Sequence, residues 1–172
     1  MEPTNNRDLE SLSMRVGEAL KLRGLMIATA ESCTGGWIGE VLTAIAGSSA
    51  YVERGFITYS NESKQEMLGV PEAVIQQHGA VSEETVRAMA AGAVAHSRAQ
   101  VSVSVSGVAG PGGGSAHNPV GTVCFGWAVK GGEPQSARKH FDGDRESVRR
   151  QSVVFALQGA LARIEALPLP KA

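Results

Sequence analysis

The chain has 172 residues, of which 42% are hydrophobic and 19% are charged, and its formal net charge is -1. This composition excludes a disordered chain and predicts a globular protein with a buried core. The near-zero net charge offers no basic surface for phosphates, so we expect binding neither to nucleic acid nor to a membrane surface.

The two cysteines and the N-terminus bear on the cell compartment. Cys33 and Cys124 are far apart and have no paired spacing, which is not typical of a disulfide-rich secreted protein. The opening residues, MEPTNNRDLESL, lack the basic and apolar regions of a signal peptide. No apolar run approaches the roughly 20 residues that cross a bilayer. We therefore expect a cytoplasmic protein.

Helical and strand patterns alternate in the first half of the chain. Leu9, Leu12, Val16 and Leu20 recur at helical spacing, and Gly24 is a suitable helix end. The following predicted elements are a buried strand at 25–30, a helix at 36–46, a strand at 51–59, a helix that Ser60 or Asn61 caps, a short helix after Pro71, and a helix from Ser82 to about His96.

Adjacent strands dominate the second half. Val101, Val103 and Val105 alternate with serines, which predicts a strand. After it come a glycine-rich loop at 107–119, a strand at 120–129, an edge strand at 135–141 and a long helix at 144–166. This order predicts the α/β class, as a layered α/β/α sandwich with a mixed sheet. Because no linker divides residues 1–172, we expect a single domain with its core at about 9–165.

The segment after the first predicted strand contains a candidate nucleophile, Ser32. Ligands of open α/β sheets bind at the carboxyl ends of strands, where Ser32 falls. The amides near Thr34, Gly35 and Gly36 precede a helix and can bind an oxyanion or a phosphate. The alternative is a helix cap, in which the hydroxyl only satisfies first-turn amides.

A second polar segment follows the 51–59 strand. It comprises Thr58, Tyr59, Ser60 and Asn61, with Lys64 one helical turn later. Lysine acts as a general base when desolvation lowers its pKa, and Tyr59 can relay a proton. The alternative is a solvated helix lysine beside a core tyrosine.

The glycine-rich loop and the last helix provide further candidates. Glycines let the backbone approach a ligand closely, although such a loop also suits a flexible connection. Arg145, Arg149 and Arg150 can hold a phosphate or form a solvent-facing basic stripe. The histidines match no metal-ligand spacing, so we expect no metal and no cofactor; they are His78, His96, His117 and His140.

Six short motifs in this order resemble the CinA C-terminal domain family. The match spans about residues 9–165. The motifs are Ala30-Glu31-Ser32-Cys33-Thr34-Gly35-Gly36, Thr58-Tyr59-Ser60-Asn61-x-x-Lys64, Gly79-Ala80-Val81-Ser82, Ser106-Gly107-Val108-Ala109-Gly110-Pro111-x-Gly113-Gly114, Pro119-Val120-Gly121-Thr122-Val123 and Phe141-x-Gly143-Asp144-Arg145.

The resemblance implies hydrolysis of nicotinamide mononucleotide to nicotinic acid mononucleotide and ammonia. By position, Ser32 matches the nucleophile and Lys64 its base, with Tyr59 and Thr34 close to the chemistry. We expect this pyridine nucleotide to be bound by eight other residues of these motifs, which are Thr34, Gly35, Gly36, Asn61, Ser106, Gly107, Gly113 and Arg145.

Two further expectations follow from the resemblance. Larger relatives carry an additional N-terminal domain resembling molybdopterin-binding proteins. The sequence shows no counterpart of that domain, so we expect this chain to be similar to the stand-alone form. Because domains of this family tend to associate, we also expect a homo-oligomer. The family often has a lysine where this chain has Asn118, which bears on phosphate affinity and substrate choice. Two other functions stay open: a non-catalytic module that binds a nucleotide or a partner, and an amidase of another small carboxamide.

Overall fold

A computed structural model describes residues 5–172 of the chain. Residues 1–4 lie outside the described residues, and with them part of the predicted single domain and of the N-terminal segment in which we expect no signal peptide. The elements in chain order are α1 (Asn6–Arg23), β1 (Ile27–Glu31), α2 (Trp37–Thr43), a short 3₁₀ helix (Ser48–Ala50), β2 (Val52–Ile57), α3 (Asn61–Leu68), α4 (Glu72–His78), α5 (Glu83–Ala95), β3 (Val101–Gly107), β4 (Thr122–Val129), β5 (Gln135–His140) and α6 (Arg145–Glu165).

The five strands form one mixed sheet in the order β2-β1-β3-β4-β5. The strands β2, β1 and β3 are parallel, and β4 and β5 continue the sheet antiparallel. In this register Glu31, the last residue of β1, lies between Ile57 of β2 and Val105 of β3. The carboxyl ends of three parallel strands therefore meet at one edge of the sheet.

Helices cover both faces of the sheet, which confirms the predicted α/β/α layers. Helices α1, α2 and α6 pack on one face around side chains such as Leu20, Phe125 and Leu157. Helices α3, α4 and α5 pack on the other face around side chains such as Leu68 and Met89. None of the helices within residues 5–172 combines the length and apolar character that a membrane crossing needs.

The alternating strand β3 is buried on both faces, because its serines lie under a helix. The Ser102 and Ser104 hydroxyls donate to the carbonyl oxygens of Ala90 and Val86 in α5, each at 2.6 Å. Small hydroxyl side chains let the helix approach while keeping the buried polar atoms hydrogen-bonded.

Several predicted boundaries differ from the structure. The helix predicted at 36–46 is only Trp37–Thr43, because Gly36 has a φ of 102° and starts it as a left-handed cap. The first strand begins at Ile27 rather than residue 25, since the amide of Met26 bonds the Gln100 side chain at 2.9 Å instead of a neighbouring strand. The predicted end of α1 is confirmed, with Gly24 in the left-handed region.

The packing of α3 on α5 depends on Gly92, and this leads to a stability prediction. A Cβ at this position would overlap the Leu68 carbonyl oxygen of α3. Alanine favours a helix over glycine by about 1 kcal/mol, but overpacking costs about 1–3 kcal/mol. We expect Gly92→Ala to lower the free energy of unfolding in urea titrations.

A matched control is Gly39→Ala in α2. Its Cβ would meet nothing closer than Glu31 Oε2 at 3.6 Å, which is ordinary contact. This variant should be neutral or slightly stabilising. Equal losses in both variants would contradict close α3–α5 packing as the cause.

Candidate active site

The predicted polar segments meet at the carboxyl edge of the parallel strands. Ser32 follows β1, and its amide donates to the Val105 carbonyl of β3 at 3.0 Å. Thr58 follows β2, and its amide donates to the Glu31 carbonyl at 2.8 Å. The parallel pairing therefore continues one residue past the strands and brings these segments together.

Ser32 and Lys64 are in direct contact. The Lys64 Nζ donates to the Ser32 Oγ at 3.2 Å, although the two residues are 32 positions apart in the chain. Ser32 is 8% exposed and Lys64 only 1%. Gly36, not Ser32, is the N-cap of α2. The structure thus excludes a capping serine and a solvated lysine.

The start of α3 places the lysine. The Ser60 hydroxyl accepts from the Ser63 amide at 3.0 Å and begins the helix, so that Lys64 lies in its first turn. The Nζ then donates to the carbonyl oxygens of Thr58 at 2.8 Å, Tyr59 at 3.3 Å and Ser60 at 3.4 Å.

Burial changes the acid–base chemistry of Lys64. Desolvation lowers the pKa of its ammonium group, and the opposing effect of the Glu62 carboxylate is weaker. Burial also raises the pKa of the adjacent Cys33 thiol to about 12, so that group stays protonated. Of the two side chains, the serine is the nucleophile that this arrangement can activate.

The turn after Ser32 is built around positive φ angles. Gly35 and Gly36 have φ values of 60° and 102°, which side chains with a Cβ rarely adopt. The Gly35 amide donates to the Ser32 carbonyl at 3.0 Å. Within residues 5–172, no backbone carbonyl accepts from the amides of Cys33, Thr34 or Gly36. These amides are candidate donors to an oxyanion.

The Thr34 side chain, predicted to bind substrate, faces inward. It is fully buried, and its hydroxyl donates to Glu31 Oε1 at 2.6 Å. Only the backbone of Thr34 is therefore placed to contact a ligand.

Arg149 holds the same turn from the other side. Its Nε donates to the Cys33 carbonyl and its Nη2 to the Thr34 carbonyl, both at 3.1 Å. Arg150 instead bonds Asn6 at 3.0 Å and Glu146 at 3.5 Å. The basic cluster predicted as a phosphate site or solvent-facing stripe is thus partly used to hold the backbone.

Arg145 joins the glycine-rich loop to Tyr59. It donates to the Gly110 carbonyl at 2.8 Å and to the Tyr59 hydroxyl at 3.3 Å. Tyr59 is 63% exposed, and its hydroxyl points away from Lys64 toward Arg145. The Tyr59 group that contacts Lys64 is its backbone carbonyl. An open cavity of about 460 Å³ adjoins Arg145 and Arg149, with Trp37 and Glu146 completing its lining.

The other predicted binding residues lie at different depths. Ser106 is buried at the end of β3, next in register to Ser32, and Gly107 is half-buried. Gly113 is exposed in the loop, with a φ of 87°. Asn61 is exposed at the first position of α3. The fold therefore brings Ser106 to the Ser32 edge, whereas Asn61 and Gly113 lie on the surface.

Asn118 anchors the loop rather than facing the serine. Its Oδ1 accepts from Arg138 of β5 at 2.8 Å, and its Nδ2 donates to the Val81 carbonyl at 3.2 Å. In the described part of the chain, no group of three or more His, Cys, Asp and Glu side chains could hold a metal ion.

The sequence predicted no role for Glu31, and it predicted Arg149 only as a phosphate ligand or as part of a solvent-facing stripe, not as a support of the turn after Ser32. A carboxylate at the end of an otherwise apolar strand, three residues before a threonine, was the available signal for Glu31. For Arg149 the signal was its spacing, one helical turn after Arg145 on the same face of α6. Neither pattern shows which backbone groups the side chains bond.

The fold and the site together define an α/β protein with a buried serine–lysine pair at the end of parallel strands. Its family follows from comparison with known proteins. The CinA C-terminal domain model matches residues 9–164, and the chain belongs to this family.

Individual relatives agree with this assignment. A protein of Escherichia coli (strain K12) named nicotinamide-nucleotide amidohydrolase PncC is 57% identical over 151 residues, which cover 88% of this chain and 92% of that protein. The crystal structure of the competence/damage inducible protein CihA from Agrobacterium tumefaciens has a TM-score of 0.87 and 46% identity, covering 90% of this chain and 94% of that one. The competence damage-inducible protein A from Klebsiella pneumoniae has a TM-score of 0.89 and 37% identity, covering 93% of this chain and 99% of that one.

Proposed function

We propose that this chain hydrolyses nicotinamide mononucleotide to nicotinic acid mononucleotide and ammonia. The observation that carries the proposal is the buried Lys64 Nζ at 3.2 Å from the Ser32 Oγ. Nucleophile and base within hydrogen-bond reach are the signature of covalent catalysis. Relatives named nicotinamide-nucleotide amidohydrolase at 53–57% identity support the substrate.

The first half of the proposed reaction forms an acyl-enzyme. Neutral Lys64 takes the Ser32 hydroxyl proton while Oγ attacks the carboxamide carbon. The tetrahedral oxyanion accepts hydrogen bonds from backbone amides of the Cys33–Gly36 turn or the Ser106–Gly107 segment, and one such donor contributes about 3 kcal/mol. The C–N bond then breaks, and protonated Lys64 gives its proton to the departing nitrogen, which leaves as ammonia.

Water completes the cycle by the reverse route. Lys64, neutral again, takes a proton from water as the water oxygen attacks the acyl carbon. The Ser32 oxygen leaves, recovers the proton from Lys64 and releases the carboxylate product. No step uses a metal ion or a cofactor, so we expect the activity to survive EDTA.

We assign the nucleotide part of the substrate to the cleft beyond Ser32. Arg145 uses two guanidinium N–H groups on Gly110 and Tyr59, which leaves others for a phosphate. The exposed Tyr59 bonds Arg145 through its hydroxyl, so its ring lies beside the proposed phosphate ligand. Proton relay through the Tyr59 hydroxyl stays a prediction, and the contact of that hydroxyl with Arg145 favours a role in substrate positioning.

Two other functions make different predictions. A non-catalytic nucleotide- or partner-binding module has no use for a desolvated lysine against a serine, and burial of that lysine favours the enzyme. An amidase of a different small carboxamide would use the same pair, so only assays with defined substrates separate it from our proposal.

The experiment is to measure ammonia release from nicotinamide mononucleotide, with and without EDTA. We expect substrate-dependent release that EDTA leaves unchanged. Loss of activity with EDTA would contradict the metal-free mechanism. If the intact protein releases no ammonia, a panel of other carboxamides distinguishes an amidase of another substrate from a binding module.

Three expectations from the sequence stay predictions: a single domain over 1–172, a cytoplasmic location and a homo-oligomer. Light scattering after size exclusion tests the last of these. A mass near the 17.9 kDa of one chain would contradict it.

A further inference from the structure

We propose that Glu31 is a positioning residue for the Ser32–Lys64 pair, acting through the turn that follows the serine. This inference rests on the proposed function, because its readout is the hydrolysis that the pair carries out. The Glu31 side chain bonds Thr34, Ile38 and Gly39, so we infer that it acts on the reaction through the residues it holds.

The Glu31 carboxylate is buried among hydrogen-bond donors. The side chain is only 1% exposed, and such a group is costly to bury unless hydrogen bonds compensate. Its oxygens accept from the Thr34 hydroxyl at 2.6 Å and from the amides of Ile38 at 2.9 Å and Gly39 at 3.0 Å. Gly36, the N-cap of α2, has no side chain to bond these first-turn amides, so Glu31 replaces the missing cap.

The same residue supports the lysine through its backbone. The Glu31 carbonyl accepts from the Thr58 amide at 2.8 Å, and the Thr58 carbonyl accepts from Lys64 Nζ at 2.8 Å. Glu31 thus fixes the serine's turn with its side chain and the lysine's acceptor with its main chain.

Thr34 is held at both of its polar ends. Its hydroxyl bonds Glu31, and its carbonyl accepts from Arg149 at 3.1 Å. The candidate oxyanion donors at Cys33, Thr34 and Gly36 belong to this turn. Loss of the Glu31 contact would therefore tilt those amides and Ser32 without touching the bound nucleotide.

A positioning role and a purely structural role have different kinetic signatures. A misplacement of about 1 Å costs as much as 100-fold in rate, whereas ground-state binding by unrelated groups is unchanged. Positioning therefore predicts a loss in kcat with little change in KM. A purely structural role predicts lower stability with normal kcat in the molecules that remain folded.

The test compares Thr34→Val, which removes the hydroxyl and keeps the shape, with Thr34→Ser, which keeps the hydroxyl. We expect Thr34→Val to lower kcat by about 10- to 100-fold with KM within about 2-fold, and Thr34→Ser to recover most of that loss. Glu31→Gln should lower kcat at least as much, because its amide nitrogen cannot accept from the donors that the carboxylate bonds.

Each variant is assayed well below its thermal midpoint, with the folded fraction measured by circular dichroism. Full kcat in folded Thr34→Val would overturn the proposal, as would a rise in KM alone or an equal kcat loss in Thr34→Ser. Because Thr34→Val is nearly isosteric, the comparison stands even if Glu31→Gln does not fold. Ammonia release by the unaltered protein is measured first. If the unaltered protein releases none, the proposed function is wrong, and this outcome is distinct from a failure of the positioning role in the variants.

Discussion

Replacing Ser32 by alanine is expected to lower kcat for nicotinamide mononucleotide hydrolysis by about 10⁴-fold or more. The substitution removes the oxygen that forms the acyl-enzyme, and the Lys64 Nζ loses its 3.2 Å partner. Fold and binding should persist, because the removed oxygen is one atom at the end of β1. Ammonia release measures the loss of kcat, and calorimetric titration with nicotinamide mononucleotide measures whether binding persists.

A matched control for this variant is Ser102→Ala. Ser102 is also a buried serine on a parallel strand, but its hydroxyl bonds the Ala90 carbonyl of α5. We expect a loss of about 1 kcal/mol in stability and a normal kcat. Retained hydrolysis in Ser32→Ala would exclude the acyl-enzyme, and binding without hydrolysis in the unaltered protein would favour the binding module.

The fold was predictable because its signals are local. Gly24 ends α1 in the left-handed conformation, and alternating valines specify β3. The order of elements also anticipated a mixed sheet, since strands separated by helices pair in parallel, and consecutive strands with no helix between them commonly pair antiparallel. Element ends were less predictable, because they depend on tertiary partners such as the Gln100 side chain that bonds Met26.

The site was predictable only in part, because its contacts are long-range. Motif spacing placed Ser32 directly after one strand and Lys64 in the helix that follows the next strand, and the parallel register then brings the two together. The orientation of side chains within the motifs was not predictable. The Thr34 hydroxyl faces Glu31, three residues earlier, although the motif alone also allowed it to face a ligand. The Tyr59 hydroxyl bonds Arg145, which is 86 positions away, so no local pattern predicts that contact.

Lys64→Met should lower kcat by a factor similar to that of Ser32→Ala, because nucleophile and base act as one unit. Methionine keeps the unbranched shape and cannot accept the serine proton. The matched control is Lys130→Met, an exposed lysine at the end of β4, which should keep normal kinetics. Normal kcat in Lys64→Met would exclude the lysine as base.

The unaltered enzyme should also show the lowered pKa of Lys64 in its pH dependence. Only the neutral amine can take the serine proton, so kcat/KM should rise with pH through a pKa below 10.5, the ordinary lysine value. A rate that rises only near 10.5 would contradict a desolvated base.

The free energy of unfolding should also depend on pH through the titration of Lys64, and Lys64→Met should abolish that contribution. Since the folded-state pKa lies below the unfolded value, the unfolded chain binds more protons between the two values. The free energy of unfolding should therefore increase with pH across that window, and the desolvation penalty applies in full below it. In Lys64→Met this contribution is absent, so the variant should be relatively most stable at low pH and lose that advantage as pH approaches 10.5. Urea titrations of both proteins at several pH values measure the difference, and a pH-independent difference would show that Lys64 is not desolvated in the folded protein.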